Sequence, residues 1–183
     1  MDFNLDNRVK SLFLDRDGVI NQKPKDKYIK SWGEFKFAEG SLDAIKILSN
    51  FFDYIFVVTN QRGVGKKLMS EKDLQEIHGK MCDEVNAHGG KIHKVYSATD
   101  IDYSSLYLKP NLGMAYQAKF DFPEIVFDNS VVIGDSITDM EFGKRLEMKT
   151  VGIGFSPQLD VLCDYTFSSL IEVAKNLRDY RKI

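Results

Sequence analysis

Apolar runs rich in β-branched residues take turns with helix-patterned segments along almost all of the 183 residues, and this alternation limits the fold more than any other feature. Residues 54–58 (Tyr-Ile-Phe-Val-Val) form a continuous apolar run, typical of a strand buried on both faces. Residues 9–14, 92–96, 131–133, 150–153 and 165–167 read as further strands. Between them, Leu42, Ile45 and Leu48 recur at helical spacing over 41–50. Ser70, followed by Glu71 and Asp73, reads as the N-cap of a helix that runs to about residue 86, before Gly89-Gly90. Helices are also expected over 111–119, over 138–146, and from 168 or 169 to about residue 180. The pattern predicts an α/β fold: a Rossmann-like parallel sheet with helices on both faces.

With no internal repeat, low-complexity stretch or linker, residues 1–183 are expected to form one domain. The hydrophobic share of 43% and charged share of 28% are ordinary for a soluble globular chain. A formal net charge of -2 gives no global electrostatic case for nucleic acid or membrane as partner. Cys82 and Cys163 lie far apart without CxxC spacing and read as reduced thiols. The polar N-terminus is not expected to act as a signal peptide, and no apolar stretch approaches the roughly 18 residues that span a bilayer. A monomeric cytoplasmic protein is expected. Segment 21–40 fits least well, with Lys23, Lys25, Lys27 and Lys30 beside Tyr28, Trp32, Phe35 and Phe37. It reads either as a flap over the carboxyl end of the first strand or as a solvated surface loop.

Four short motifs carry the chemistry. Asp15-Arg16-Asp17-Gly18 closes the first apolar run. Residues i and i+2 leave a strand on the same side, so Asp15 and Asp17 are expected together where open α/β sheets place ligands. Like charges that close call for a cation between them, and carboxylates plus substrate phosphate suit Mg²⁺. Taken alone, the motif is equally a polar turn. Thr59-Asn60-Gln61-Arg62-Gly63 follows the second buried run and can donate hydrogen bonds to a phosphoryl group. Lys109-Pro110 precedes a helix, where a lysine can neutralise phosphate. Gly134-Asp135-Ser136-Ile137-Thr138-Asp139 repeats the opening pattern, with Asp135 placed to complete a metal site and Asp139 one turn into the next helix.

In this order and spacing the motifs resemble the signature of the haloacid dehalogenase superfamily of phosphatases, over roughly residues 8–170. FLDRDGVIN, WGEFKFAEG, TNQRGVGKK and KPNLGM are similar to its histidinol-phosphatase and D-glycero-D-manno-heptose-1,7-bisphosphate phosphatase branch. The resemblance implies Asp15 as nucleophile, forming an aspartyl-phosphate, and Asp17 as general acid and then base. It implies Mg²⁺ on the side chains of Asp15 and Asp135 and the backbone carbonyl of Asp17. Thr59 and Lys109 would stabilise the transferring oxygens, and Asp139 would orient Lys109 or a metal-bound water. Lys25, Asp26, Lys27, Tyr28, Asn60, Gln61, Arg62, Leu108 and Ser136 are the expected substrate-side positions. No large cap domain fits between the motifs, so the site should be open, roofed by 21–40 and by the loop 96–108.

Departures from the branch matter as well. Its zinc hook of cysteines and a histidine corresponds to Ser97, Thr99, Ser105 and Tyr107, and no thiolate or imidazole remains over 96–108. No Zn²⁺ is therefore expected there, and the loop should be mobile unless Tyr103 and Tyr107 pack it. Leu108 stands where relatives carry Arg, and Ser136 where they often carry Lys. Arg62, where relatives carry a small residue, either supplies the missing cation or is a solvated side chain. The expected substrate is a small phosphate ester. Heptose 1,7-bisphosphate losing its 7-phosphate leads, in carbohydrate metabolism and lipopolysaccharide precursor synthesis. Histidinol phosphate and a related sugar phosphate follow, and a polynucleotide 3′-phosphatase ranks lowest because the charge is near neutral.

Overall fold

The computed structural model describes residues 3, 5–23, 28–154 and 161–180, the last three by their backbone only. Its core is a six-stranded, all-parallel sheet in the order β3-β2-β1-β4-β5-β6. The strands are β1 (Ser11–Leu14), β2 (Tyr54–Asn60), β3 (Lys94–Ala98), β4 (Ser130–Gly134), β5 (Lys149–Ile153) and β6 (Tyr165–Phe167). The helices are α1 (Ser41–Leu48), a single turn α2 (Arg62–Gly65), α3 (Glu71–Ala87), α4 (Gly113–Asp121), α5 (Ile137–Lys144) and α6 (Leu170–Tyr180). The expected Rossmann-like architecture is the observed one. The expected elements are present, with ends that move by a few residues. The turn α2 is the addition, in a stretch that reads as a glycine loop.

Alternation along the strands divides the core into two layers. Leu12 and Leu14 of β1 pack with Ile45 and Leu48 of α1, Leu74, Ile77 and Met81 of α3, and Val173 of α6. Phe13 points the other way, among Phe56, Val58, Met114 and Ala118 of α4, and Phe142 of α5. Both faces of the sheet are covered, which is why its strands read as continuous apolar runs. Ser70 caps α3 as expected: its hydroxyl accepts from the Asp73 amide, and the Asp73 carboxylate accepts from the Ser70 amide.

The chain order places the site. From β1 the chain moves outward through β2 and β3, then returns to the other side of β1 to build β4, β5 and β6. The carboxyl ends of β1 and β4 therefore flank the point where strand order reverses, the crevice where open α/β sheets bind ligands. Segment 21–40, where it is described, mixes exposed residues such as Lys30, Glu34 and Lys36 with the buried Ile29 and Phe35. The Gln22 amide donates to the Lys36 carbonyl and the Ala38 amide to that of Ile20. Trp32 stacks on Phe35 at 5.0 Å, and Phe35 joins the main core.

Candidate active site

Asp15 follows β1 directly, and its amide continues the ladder onto the Ile133 carbonyl of β4 (2.9 Å). Asp135 follows β4, Thr59 and Asn60 end β2, and Lys109 comes from the loop before α4. These residues meet Asp17, Lys23, Ser136, Thr138 and Asp139 around one cleft of about 310 Å³. Two glycines let the loops approach this closely. A Cβ on Gly18, whose φ is +89°, would stand 2.2 Å from Asp135 Oδ2. One on Gly134 would stand 2.3 Å from Asp139 Cβ.

The floor of the cleft is a buried ion triad. Lys109 Nζ lies 2.9 Å from Asp15 Oδ1 and 2.5 Å from Asp139 Oδ1, and donates to the Val58 carbonyl at 2.6 Å. The Asn60 amide oxygen accepts from the Lys109 backbone N–H and its NH₂ donates to the Lys109 carbonyl, so Asn60 holds the lysine's main chain. Burial pushes the Asp15 carboxyl up to about 7; the pull of Lys109 is outweighed with help from Asp139 and Asp17. Burial also raises Asp135, against Lys23, whose ammonium lies 2.7 Å away. Burial works against the Lys109 charge, yet Asp139 and Asp15 hold it above the usual lysine value.

One carboxylate oxygen from each of Asp15, Asp135 and Asp139 lies within 4.8 Å of the others. An all-oxygen, anionic, largely buried set fits a hard divalent cation such as Mg²⁺. Both oxygens of Asp139 are engaged elsewhere: one meets Lys109, and the other accepts from the Ser136 amide (3.1 Å) and hydroxyl (2.5 Å).

Asp17 sits in a separate set of donors. Arg16 Nη2 reaches both its oxygens at 3.0 Å, Gln61 Nε2 donates at 2.8 Å and Asn21 Nδ2 at 2.9 Å. Arg16 is buried and also donates to Gln61 Oε1, while Gln61 reaches Thr59 Oγ1 at 2.9 Å.

Several expected substrate positions lie elsewhere. Leu108 is buried in the apolar layer with Val58, Tyr96 and Met114. Gln61 is buried and spends its amide on Asp17, Thr59 and Arg16. The Tyr28 ring packs against Gly63 of α2. Arg62 is half-buried and does not line the cleft. It donates to the Tyr103 hydroxyl (2.6 Å) and the Ile101 carbonyl (2.7 Å), and stacks over the Tyr103 ring at 4.1 Å. Tyr103 is itself largely exposed; besides this latch, the loop 96–108 is held by the Asn111 side chain, which donates to the Ser105 carbonyl, and by the Gly113 amide, which donates to that of Leu106. Lys25, Asp26 and Lys27 lie outside the described residues. Sequence reasoning missed Arg16, Asn21 and Thr138 as site residues. The available signal for Arg16 was parity: it continues the Leu12, Leu14 series and so turns under α3.

This fold and this site define a phosphatase of the haloacid dehalogenase class. The family model described as polynucleotide kinase 3 phosphatase matches residues 10–167, and the chain belongs to that family. Its relatives include the D-glycero-alpha-D-manno-heptose-1,7-bisphosphate 7-phosphatases of Campylobacter jejuni, 31% identical over 79% of this chain and 81% of that one, and of Mycobacterium tuberculosis, 33% identical over 89% and 88%. The beta-anomer enzyme of Neisseria meningitidis is 36% identical over 73% of this chain and 71% of its own. Among solved structures, D,D-heptose 1,7-bisphosphate phosphatase from B. bronchiseptica complexed with magnesium and phosphate superposes with a TM-score of 0.83 at 25% identity, covering 94% of this chain and 99% of that one. Among the described residues no helix is long and apolar enough to cross a membrane.

Proposed function

We propose that the protein is a Mg²⁺-dependent phosphomonoesterase that removes the 7-phosphate of D-glycero-D-manno-heptose 1,7-bisphosphate through an aspartyl-phosphate. The observation that carries this reading is the Lys109 ammonium 2.9 Å from Asp15, at the foot of a cleft walled by Thr59, Asn60 and Asp135. Asp15 attacks phosphorus, the P–O bond to the sugar breaks, and Asp17 gives its proton to the departing alkoxide. Asp17 then takes a proton from a water whose oxygen attacks the aspartyl-phosphate, releasing inorganic phosphate and regenerating the Asp15 carboxylate. Thr59 and Lys109 donate to the phosphoryl oxygens as charge builds on them. Bound Mg²⁺, held by the side chains of Asp15 and Asp135 and the backbone carbonyl of Asp17, supplies charge neutralisation at the phosphoryl group. Asp139 orients Lys109. Gln61 and Asn21 orient Asp17, and Arg62 serves the substrate side by holding the roof loop.

Relatives named for the heptose bisphosphate, at 31–36% identity over most of their lengths, support this substrate. Their names divide between the α and β anomers, so both are the substrates to test first. A cleft of about 310 Å³ suits a small ester. A formal net charge of -2 supplies no phosphate-tracking surface for the nucleic-acid ends that the family's description suggests. We read the chain as a single cytoplasmic domain that acts as a monomer, needs no zinc, and is roofed by 21–40 and 96–108. The test is Asp15→Asn: turnover of an aryl phosphate should fall by about 10³-fold or more. Near-normal hydrolysis by the variant would refute the covalent mechanism. Chelation with EDTA should abolish wild-type turnover and added Mg²⁺ should restore it.

A further inference from the structure

His78 is a buried imidazole that no step above uses. It lies on the inner face of α3 and is almost sealed from solvent. Its partner there is charged: Arg16 Nη1 stands 3.1 Å from His78 Nε2. A guanidinium has no acceptor and keeps its proton, so Arg16 donates and Nε2 accepts. His78 is then a neutral ring with its proton on Nδ1. Burial and the facing Arg16 push its pKa down to about 3, in keeping with that state.

The buried guanidinium is gripped at two ends. Nη2 and Nε hold the Asp17 carboxylate, and Nη2 also reaches Gln61 Oε1. Nη1 is fixed by His78. The guanidinium is planar, so swinging the Asp17 end would pull Nη1 off His78 and leave a buried charged donor unpaired. Helix α3 thereby sets the plane in which Asp17 is presented.

We propose that His78 is a positioning residue which, acting through Arg16, holds the Asp17 carboxyl in the orientation from which it protonates the leaving oxygen. This rests on the assignment of Asp17 as general acid under the proposed function. In the step that forms the aspartyl-phosphate, misplacement of that acid penalises poor leaving groups and spares good ones, whereas general loosening of the core penalises both.

The test compares an alkyl ester, glycerol phosphate, with dinitrophenyl phosphate, whose leaving group departs without a proton. His78→Leu, which removes the acceptor, should lower kcat/KM, which reports the steps through departure of the leaving group, about tenfold or more on the alkyl ester and less than about threefold on the dinitrophenyl ester. His78→Gln, whose side-chain oxygen can accept from Arg16, should return the alkyl ester to within about threefold of wild type. If His78→Leu fails to fold by thermal melt, His78→Asn carries the same comparison, since its shorter side chain stays polar but withdraws the acceptor from Arg16 Nη1. Equal losses on both esters, or an undiminished alkyl rate in a folded variant, would overturn the proposal. Asp15→Asn run alongside should silence both esters; survival of either would instead sink the covalent reading.

Discussion

Asp139 fastens Lys109 to helix α5. Its Oδ1 lies 2.5 Å from the ammonium, and its Oδ2 receives the Ser136 amide and hydroxyl at the start of the helix. One carboxylate thus caps α5 and aims the cation that sits on Asp15. Asp139→Asn removes the charge but not the shape. We expect kcat to fall about ten- to hundredfold and stability to fall by about 3 kcal/mol, as for a broken buried ion pair. Steady-state kinetics with urea denaturation checks both. Loss of stability without loss of kcat would reduce Asp139 to a cap.

Gly134 tests the same geometry from the strand side. A Cβ there would stand 2.3 Å from Asp139 Cβ and 2.4 Å from its Cγ. Gly134→Ala must displace Asp139, so we expect about 1–3 kcal/mol of destabilisation together with reduced turnover. A variant within about 0.5 kcal/mol of wild type and fully active would contradict the packing described.

Much of this arrangement was legible in the chain. The continuous run 54–58 announced a strand buried on both faces. Asp15, Asp17, Thr59 and Asp135 each end or follow a strand, Lys109 lies in the loop that leads into α4, and the order of strands brings them together. Less legible were residues whose partners lie across the fold. Gln61 and Leu108 sit beside site residues in sequence but are buried, Gln61 against Asp17, Thr59 and Arg16, and Leu108 in the apolar layer. The Arg16–His78 contact spans 62 residues, and no local pattern encodes it.

His78 also makes stability depend on pH. The unfolded chain binds a proton at a histidine near pH 6.5, while the folded protein resists protonation of His78, which faces Arg16 and, beyond it, Asp17, until about pH 3. The stabilisation is complete above pH 6.5 and drains away as pH falls from there toward 3. Stability measured by denaturation at pH 7 and pH 4.5 should fall more for wild type than for a folded His78→Gln variant. Equal slopes would mean that His78 is charged in the native state.

Arg62 is predicted to work through the roof loop. Arg62→Ala removes the hydrogen bonds to Tyr103 and Ile101 and the stacking on the ring, a contribution of roughly 1 kcal/mol for the stacking. Amide exchange over 100–107 should accelerate, and Tyr103→Ala should reproduce the effect without removing a charge. A KM increase confined to Arg62→Ala and to bisphosphates, with exchange unchanged, would instead mark direct contact with a second phosphate.

The most direct measurement is a kcat/KM ranking of the wild-type enzyme with Mg²⁺ on both anomers of heptose 1,7-bisphosphate, histidinol phosphate and a 3′-phosphorylated oligonucleotide. One heptose anomer should lead every other substrate by about tenfold or more, the 7-phosphate should be the one released, and Asp15→Asn should remove the activity. An oligonucleotide or histidinol phosphate at the head of the ranking, or heptose turnover that survives Asp15→Asn, would contradict the proposed function.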